Sequence, residues 1–250
     1  MDTLGTISLQ IAPCAETEHR TEALERLRYL AQSGKYGLLL GSEGTGKSWL
    51  FGQLARQLRR EGVAVAQLNL SGMAGLELPY QVAGRLGLGV TTSASLLEVW
   101  SRLQEYAEAG RSMKRSLAFL VDHIDRADES ALVPLGRLME LFNWNCGWLM
   151  ASRSPCPSVW QSFFQGRSWL KVELKDLQPR ETAQLLARDM SERAIAAQFT
   201  SEGVTAAHEL TAGRIRRLRQ LAELASVAVE AEGLKEIDAD LLRSLAAELG

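Results

Sequence analysis

Four residues set the chemistry this chain can do: Gly41, Gly46, Lys47 and Ser48, in the spacing G-x-x-x-x-G-K-S. They lie within residues 36–50, YGLLLGSEGTGKSWL. A polyphosphate is a cluster of negative oxygens, and gripping it takes donors without a close carboxylate. Backbone N–H groups can wrap it only where Cβ atoms are absent, which Gly41, Gly44 and Gly46 provide. Ser42, Glu43 and Thr45 add their main-chain amides to the same cradle. A helix opening at Lys47, Ser48 and Trp49 aims its unpaired N–H groups and positive end at the phosphates. Lys47 adds a full charge at the β- and γ-phosphates. Ser48 offers a hydroxyl to Mg²⁺, which keeps most of its waters and takes few protein ligands.

That loop works only between a strand and a helix. The apolar run 36–40 predicts the strand, and the apolar spacing after Ser48 predicts a helix to about residue 60. Further strands are expected at 63–70, 117–122, 147–152 and 169–174, the last exposed on one face. The near-continuous apolar character of 63–70 and 117–122 suits strands covered on both sides. Helical spacing recurs at 17–31, 78–86, 95–109 and 131–142. Ser95 and Glu98 have the spacing of a capping box. Strands alternating with helices give an α/β fold, a three-layer sandwich around a parallel five-stranded sheet. From residue 178 to the end only helical periodicity is visible, with breaks near 200–201, 213 and 233. The expected division is an N-terminal arm (1–16), a nucleotide-binding domain (17–176) and an all-helical lid (177–250).

The strand at 117–122 ends in Asp122. A buried parallel strand delivers its last side chain to the carboxyl edge of the sheet, where α/β proteins bind ligands. Asp122 is therefore placed to hold a water of the Mg²⁺ shell, although an aspartate here also suits a turn cap. His123 and Asp125 follow.

Whole-chain properties narrow the classes. The chain has 250 residues, 46% apolar and 23% charged, enough for one large domain or one plus a small one. A net charge of −2 gives no global pull toward nucleic acid or anionic lipid. Cys14, Cys146 and Cys156 lack metal-like spacing and read as reduced thiols of a cytoplasmic protein. No signal peptide or membrane-spanning run is visible.

The chain resembles the AAA+ superfamily, and within it the ExeA-like group: general secretion pathway protein A and its relatives, near the transposition ATPases of the TniB and MuB kind. Beside the phosphate loop and the Asp122 strand, the likeness rests on HRTEALERLRYL at 19–30, LQPRET at 177–182 and GRIRRL at 213–218. The resemblance implies an ATP hydrolase that works with Mg²⁺ as a homo-oligomer, ring or filament. It puts Ser152 at the sensor-1 position, Arg216 at sensor 2, and Arg167 as the finger reaching a neighbouring subunit's γ-phosphate. Each position also has an ordinary use: a serine closes strands, Arg216 shares a cluster with Arg214, Arg217 and Arg219, and Arg167 suits a surface.

One departure stands out. The family usually ends its third strand in Asp-Glu, the glutamate orienting the attacking water. Here His123 follows Asp122. A histidine can accept a proton near neutral pH, or serve as a plain turn residue, and Asp125 could reach the water through a tight turn. Nucleotide binding is expected to be intact, and hydrolysis slow or dependent on Asp125. The leading function is a motor or switch for assembling a protein or protein–DNA complex. The alternative is an ATP-dependent DNA-binding regulator of transposition with little catalysis, favoured by Arg56, Arg59, Arg60 and the arginines at 214–219. Members of the secretion kind carry a membrane span not seen here, so a cytoplasmic role is expected. The guanine-reading pattern N-K-x-D is missing, which tilts the base toward adenine.

Overall fold

The apolar runs pair as one parallel sheet. A computed structural model describes residues 17–91 and 93–248. The expected arm, with Cys14, lies outside the described residues. The strands are β1 (Tyr36–Gly41), β2 (Ala64–Asn69), β3 (Leu117–Asp122), β4 (Cys146–Ser152) and β5 (Trp169–Leu174), in the order β2-β3-β4-β1-β5. Register places Leu40 beside Ser152 and Asn69 beside Asp122. The ends of β1, β3 and β4 therefore share one edge.

Alternation along each strand sorts the core into two layers. Leu38, Phe119, Val121, Trp148 and Met150 face one side. There they meet α3 (Leu78–Arg85), α4 (Leu96–Ser112) and α5 (Leu132–Leu141). Leu39, Ala118, Leu120, Leu149 and Ala151 face the other, against α1 (Glu18–Gln32) and α2 (Lys47–Arg60). Phe119 stacks on Trp148 with ring centroids 4.0 Å apart. The Ser95 hydroxyl accepts from Glu98 N at 3.2 Å, half of the expected capping box. On the edge strand β5 only Val172 and Leu174 are buried, as its alternation predicts. A short helix that the sequence did not suggest, α6 (Ser158–Phe164), follows β4 and buries Trp160.

After β5 the chain builds a separate core. Helices α7 (Pro179–Glu192), α8 (Ser201–Thr211), α9 (Ile215–Glu232) and α10 (Ala239–Glu248) enclose Leu185, Leu186, Leu218, Leu221, Ala225 and Leu242. The expectation of purely helical structure here needs correction. Strands β6 (Gln198–Phe199) and β7 (Glu236–Ile237) pair in parallel. Two residues per strand are too few for an alternation to show in the sequence, and the pairing joins segments far apart in the chain. Trp49, in the first turn of α2, packs against both this core and the sheet's α1–α2 layer. No helix among the described residues is long and apolar enough to cross a membrane.

Candidate nucleotide site

The phosphate loop is held in shape from within. Thr45 is buried and its hydroxyl donates to Ser42 O at 2.9 Å. The Ser42 hydroxyl donates to Asp176 at 2.8 Å, tying the loop to the segment after β5. Gly46 caps α2 at φ +94°, a conformation that favours glycine. Lys47 Nζ donates to Gly41 O and Ser42 O, both at 2.8 Å. Burial pushes the Lys47 ammonium below its ordinary pKa, while Asp125, Asp122 and Glu43 pull it back up. A phosphate would restore the favourable charge partner that the loop carbonyls supply only as dipoles.

Glu43, Gly44, Gly46, Lys47, Ser48 and Trp49 line a cleft of about 410 Å³. Gly41, Ser42 and Thr45 shape the loop instead, with the Ser42 and Thr45 side chains turned to structural partners. Asp122, His123 and Asp125 reach the same cleft from the end of β3. His123 takes a left-handed conformation at φ +56° and ψ +41°, which turns the chain into a short 3₁₀ segment. Its N–H donates to Asp122 Oδ1 at 2.8 Å, and its Nδ1 lies 3.3 Å from Asp122 Oδ2 without a hydrogen bond. Asp125, its side chain only 7% exposed, accepts Arg153 N at 3.2 Å and lies 3.6 Å from Arg153 Nε. The tight turn supposed for Asp125 is thus present, and both candidate water-orienting groups face the cleft.

The opposite wall is one face of α9. Arg216, Arg219, Gln220 and Glu223 line the cleft in the i, i+3, i+4, i+7 pattern of a single helix face. The first turn of α9 rests directly on the phosphate loop, because Arg216 N donates to Gly44 O at 3.2 Å. A Cβ on Gly44 (φ +84°) would stand 3.3 Å from Arg216 Cβ. Glu43 bridges two arginines: its Oε1 accepts from Arg126 at 2.8 Å and from Arg216 at 3.3 Å. The hydrogen bond from Arg126 holds the Glu43 carboxyl below the usual range. Arg219 also approaches buried Asp189 of α7, at 4.0 Å. Burial raises the Asp189 carboxyl above its ordinary pKa, and Arg219 works against that.

Donor chemistry fits Mg²⁺. Ser48 offers an exposed hydroxyl and Asp122 a carboxylate, both oxygens, on walls of one cleft; a hard cation that keeps its waters needs no fuller cage.

Two expected site residues lie elsewhere. Ser152 is fully buried, and its hydroxyl donates to Arg153 O at 3.0 Å. Arg153, the next residue, lines the cleft in its place. Arg167 lies between α6 and β5, over the Phe163 ring at 5.8 Å, outside this chain's own cleft. A finger acting on a neighbour's site would have to be outside it. The arginine cluster also divides. Arg216 and Arg219 face the cleft, while Arg217 is exposed and is not among the cleft's lining residues.

No family model matches the sequence, and no curated protein matches it. Solved structures do match. The RuvB Holliday junction branch migration motor of Thermotoga maritima superposes with a TM-score of 0.57 at 16% identity, over 92% of this chain and 67% of that one. Cdc6p from Pyrobaculum aerophilum gives 0.68 at 14% identity, over 91% and 66%. A chain of Drosophila ORC bound to DNA gives 0.71 at 15% identity, over 96% and 63%. This is the AAA+ P-loop fold. At these identities the likeness is one of fold. The chain spans about two thirds of the length of the structures it matches.

Arg126, Arg153, Arg219, Gln220 and Glu223 join the cleft without having been singled out for it from the sequence. The helix spacing of the last three from Arg216 was the available signal. For Arg126 and Arg153, position just after a strand end was the only one.

Proposed function

We propose that this chain binds Mg-ATP in the cleft between the sheet and the α7–α10 lid. We further propose that it hydrolyses ATP slowly, as a cytoplasmic homo-oligomer that drives or switches assembly of a protein or protein–DNA complex. The observation that carries the reading is convergence: Lys47, Ser48, Asp122 and Arg216 come from three separate stretches of chain and line one cleft. Lys47 and the loop amides grip the β- and γ-phosphates. Ser48 and Asp122 would hold Mg²⁺, which when bound neutralises charge on the phosphate oxygens. Arg216 reads the γ-phosphate from the lid, and Arg167 reaches a neighbour's site. The motif segments quoted above support placement in the ExeA-like group. Division at residue 176, with a lid from 177 to 250, follows from the same reading.

In hydrolysis the water oxygen bonds to the γ-phosphorus as the bond from that phosphorus to the β–γ bridging oxygen breaks. ADP leaves with that electron pair, and the water proton passes to Asp125 or directly to the phosphate. With histidine in place of the usual glutamate, Asp125 is the better-placed carboxylate. Asp125→Ala is expected to lower turnover by ~10²-fold, the typical weight of water-orienting or general-base help. His123→Ala is expected to cost less than ~10-fold. Steady-state phosphate release checks both, and the reverse ranking would overturn the assignment.

Calorimetric titration with Mg-ATP and Mg-GTP tests the whole proposal. Saturable heat with ATP, and less with GTP, is expected; no heat with either would refute it. A second reading, ATP-dependent DNA binding with little catalysis, gains support from exposed Arg56, Arg59, Arg60 and Arg217. It is also supported by the DNA named with the ORC structure. It requires DNA affinity that appears only with ATP and falls steeply with salt.

A further inference from the structure

We infer that Arg153 is the cleft's own γ-phosphate contact from the sheet side, the role for which Ser152 is out of reach. The inference rests on the Mg-ATP reading above. Ser152 closes β4 with its hydroxyl bonded to Arg153 O and no exposed surface. For that hydroxyl to meet a phosphate, the end of β4 would have to repack. Arg153 needs no such change.

Two backbone anchors fix where Arg153 stands. Its own N–H donates to Asp125 Oδ1 at 3.2 Å. The next N–H, of Ser154, donates to Gly41 O at 3.2 Å. Gly41 O is also an acceptor for Lys47 Nζ, at 2.8 Å. The root of the Arg153 side chain is therefore pinned beside the opening residue of the phosphate loop, next to the lysine that marks the β- and γ-phosphates.

The side chain itself is loosely held. It is 63% exposed, and its Nε stands 3.6 Å from Asp125 Oδ2, an ion-pair distance rather than a hydrogen bond. Arg126 and Arg216, by contrast, are both engaged by Glu43 of the loop. A guanidinium matches phosphate oxygens as a planar fork, and it gains more from a phosphate than from one distant carboxylate oxygen. Moving Nε to the γ-phosphate would take the guanidinium off Asp125, leaving Oδ2 open to the attacking water. Arg153 would so couple recognition of the third phosphate to exposure of the water-orienting carboxylate. Diphosphate lacks those oxygens and would leave the Arg153–Asp125 pair as it stands.

The test is calorimetric titration of the full chain with Mg-ATP and with Mg-ADP, for wild type, Arg153→Ala and Arg153→Lys. Arg153→Ala should weaken ATP roughly ten- to hundredfold, the weight of hydrogen bonds to charged groups, and shift ADP less than about twofold. Arg153→Lys should fall between, keeping the charge but losing the fork. An arginine that only props Asp125 would leave the ATP-to-ADP affinity ratio unchanged. An unchanged ratio in Arg153→Ala, whether both affinities fall or neither does, overturns the inference while leaving the nucleotide reading intact. A wild type that binds neither nucleotide overturns both.

Discussion

Lys47→Ala is expected to weaken Mg-ATP binding by roughly hundredfold or more, with thermal stability changed by no more than a few degrees. The asymmetry follows from what Lys47 does in each state. Without a nucleotide, its ammonium donates to two loop carbonyls at 2.8 Å. Gly41 O keeps a second donor, Ser154 N, and the cleft is open to water, so few groups are left unsatisfied when the lysine goes. With a nucleotide, the same ammonium would meet the phosphates in a partly desolvated site. Hydrogen bonds to charged groups are worth about 1.5–3 kcal/mol each, and two of them account for a hundredfold or more. Lys47→Arg should not rescue, because a planar fork replaces a compact point charge inside a loop shaped for the latter. The pH dependence has a definite sign. The charged form binds phosphate, and burial has already lowered the free-site pKa. ATP affinity should therefore begin to fall at a lower alkaline pH than an ordinary lysine would give, and Lys47→Ala should lose that limb. Titration calorimetry across pH, paired with thermal melts, reads all of this. Equal ATP affinity in wild type and Lys47→Ala would sink the phosphate cradle itself.

What could be read from the sequence was what buried parallel strands and glycine-rich turns write plainly. Leu117–Asp122 is five buried residues followed by a half-buried aspartate, so both the strand and the carboxylate at its end are visible as a run and a stop. The loop from Gly41 to Ser48 was legible because backbone wrapping leaves little choice of residue. Features set by turn geometry were not. Whether Ser152 or Arg153 faces the cleft depends on how the chain leaves β4, and nothing in S-R-S-P-C encodes that locally. His123 in a left-handed conformation sets where Asp125 points; histidine tolerates a positive φ better than most residues, but so few histidines adopt one that the residue type alone did not mark it. The arginine-rich stretch at 214–219 reads as one basic cluster along the sequence. On α9, Arg217 is rotated about 100° from Arg216, and the two take different surroundings. Glu43 was legible only as a loop amide; the bridging role of its carboxylate gave no signal, since Arg126 and Arg216 are distant in the chain and meet it only in the folded state.

The placement of α9 over the loop turns on Gly213, and Gly213→Val is expected to destabilise the protein by roughly 2–5 kcal/mol. Gly213 sits between α8 and α9 at φ +66°, which a β-branched residue resists. Space is lacking as well. A Cβ here would lie 2.3 Å from Leu177 O and 3.1 Å from Leu177 N, both backbone atoms of the segment joining β5 to α7. The two residues are already joined, Leu177 N donating to Gly213 O at 2.9 Å. Relief can come only by moving the start of α9 away from Leu177. That start carries Arg216, whose N–H rests on Gly44 O, so the displacement is passed to the phosphate loop. Two effects should therefore appear together. The melting temperature should fall by roughly 4–20 °C for a chain of this size. In protein still folded at low temperature, ATP affinity should drop about tenfold or more, the loss of one charged contact. Gly213→Ala should show the same pair of effects at smaller size, since it meets the same backbone clash without the branched side chain. If Gly213→Val instead melted like wild type, α9 would not be pinned to Leu177 as the structure has it. If it melted early but bound ATP unchanged, the lid would hold itself together at this glycine without governing the cleft, and the role assigned to Arg216 would fall.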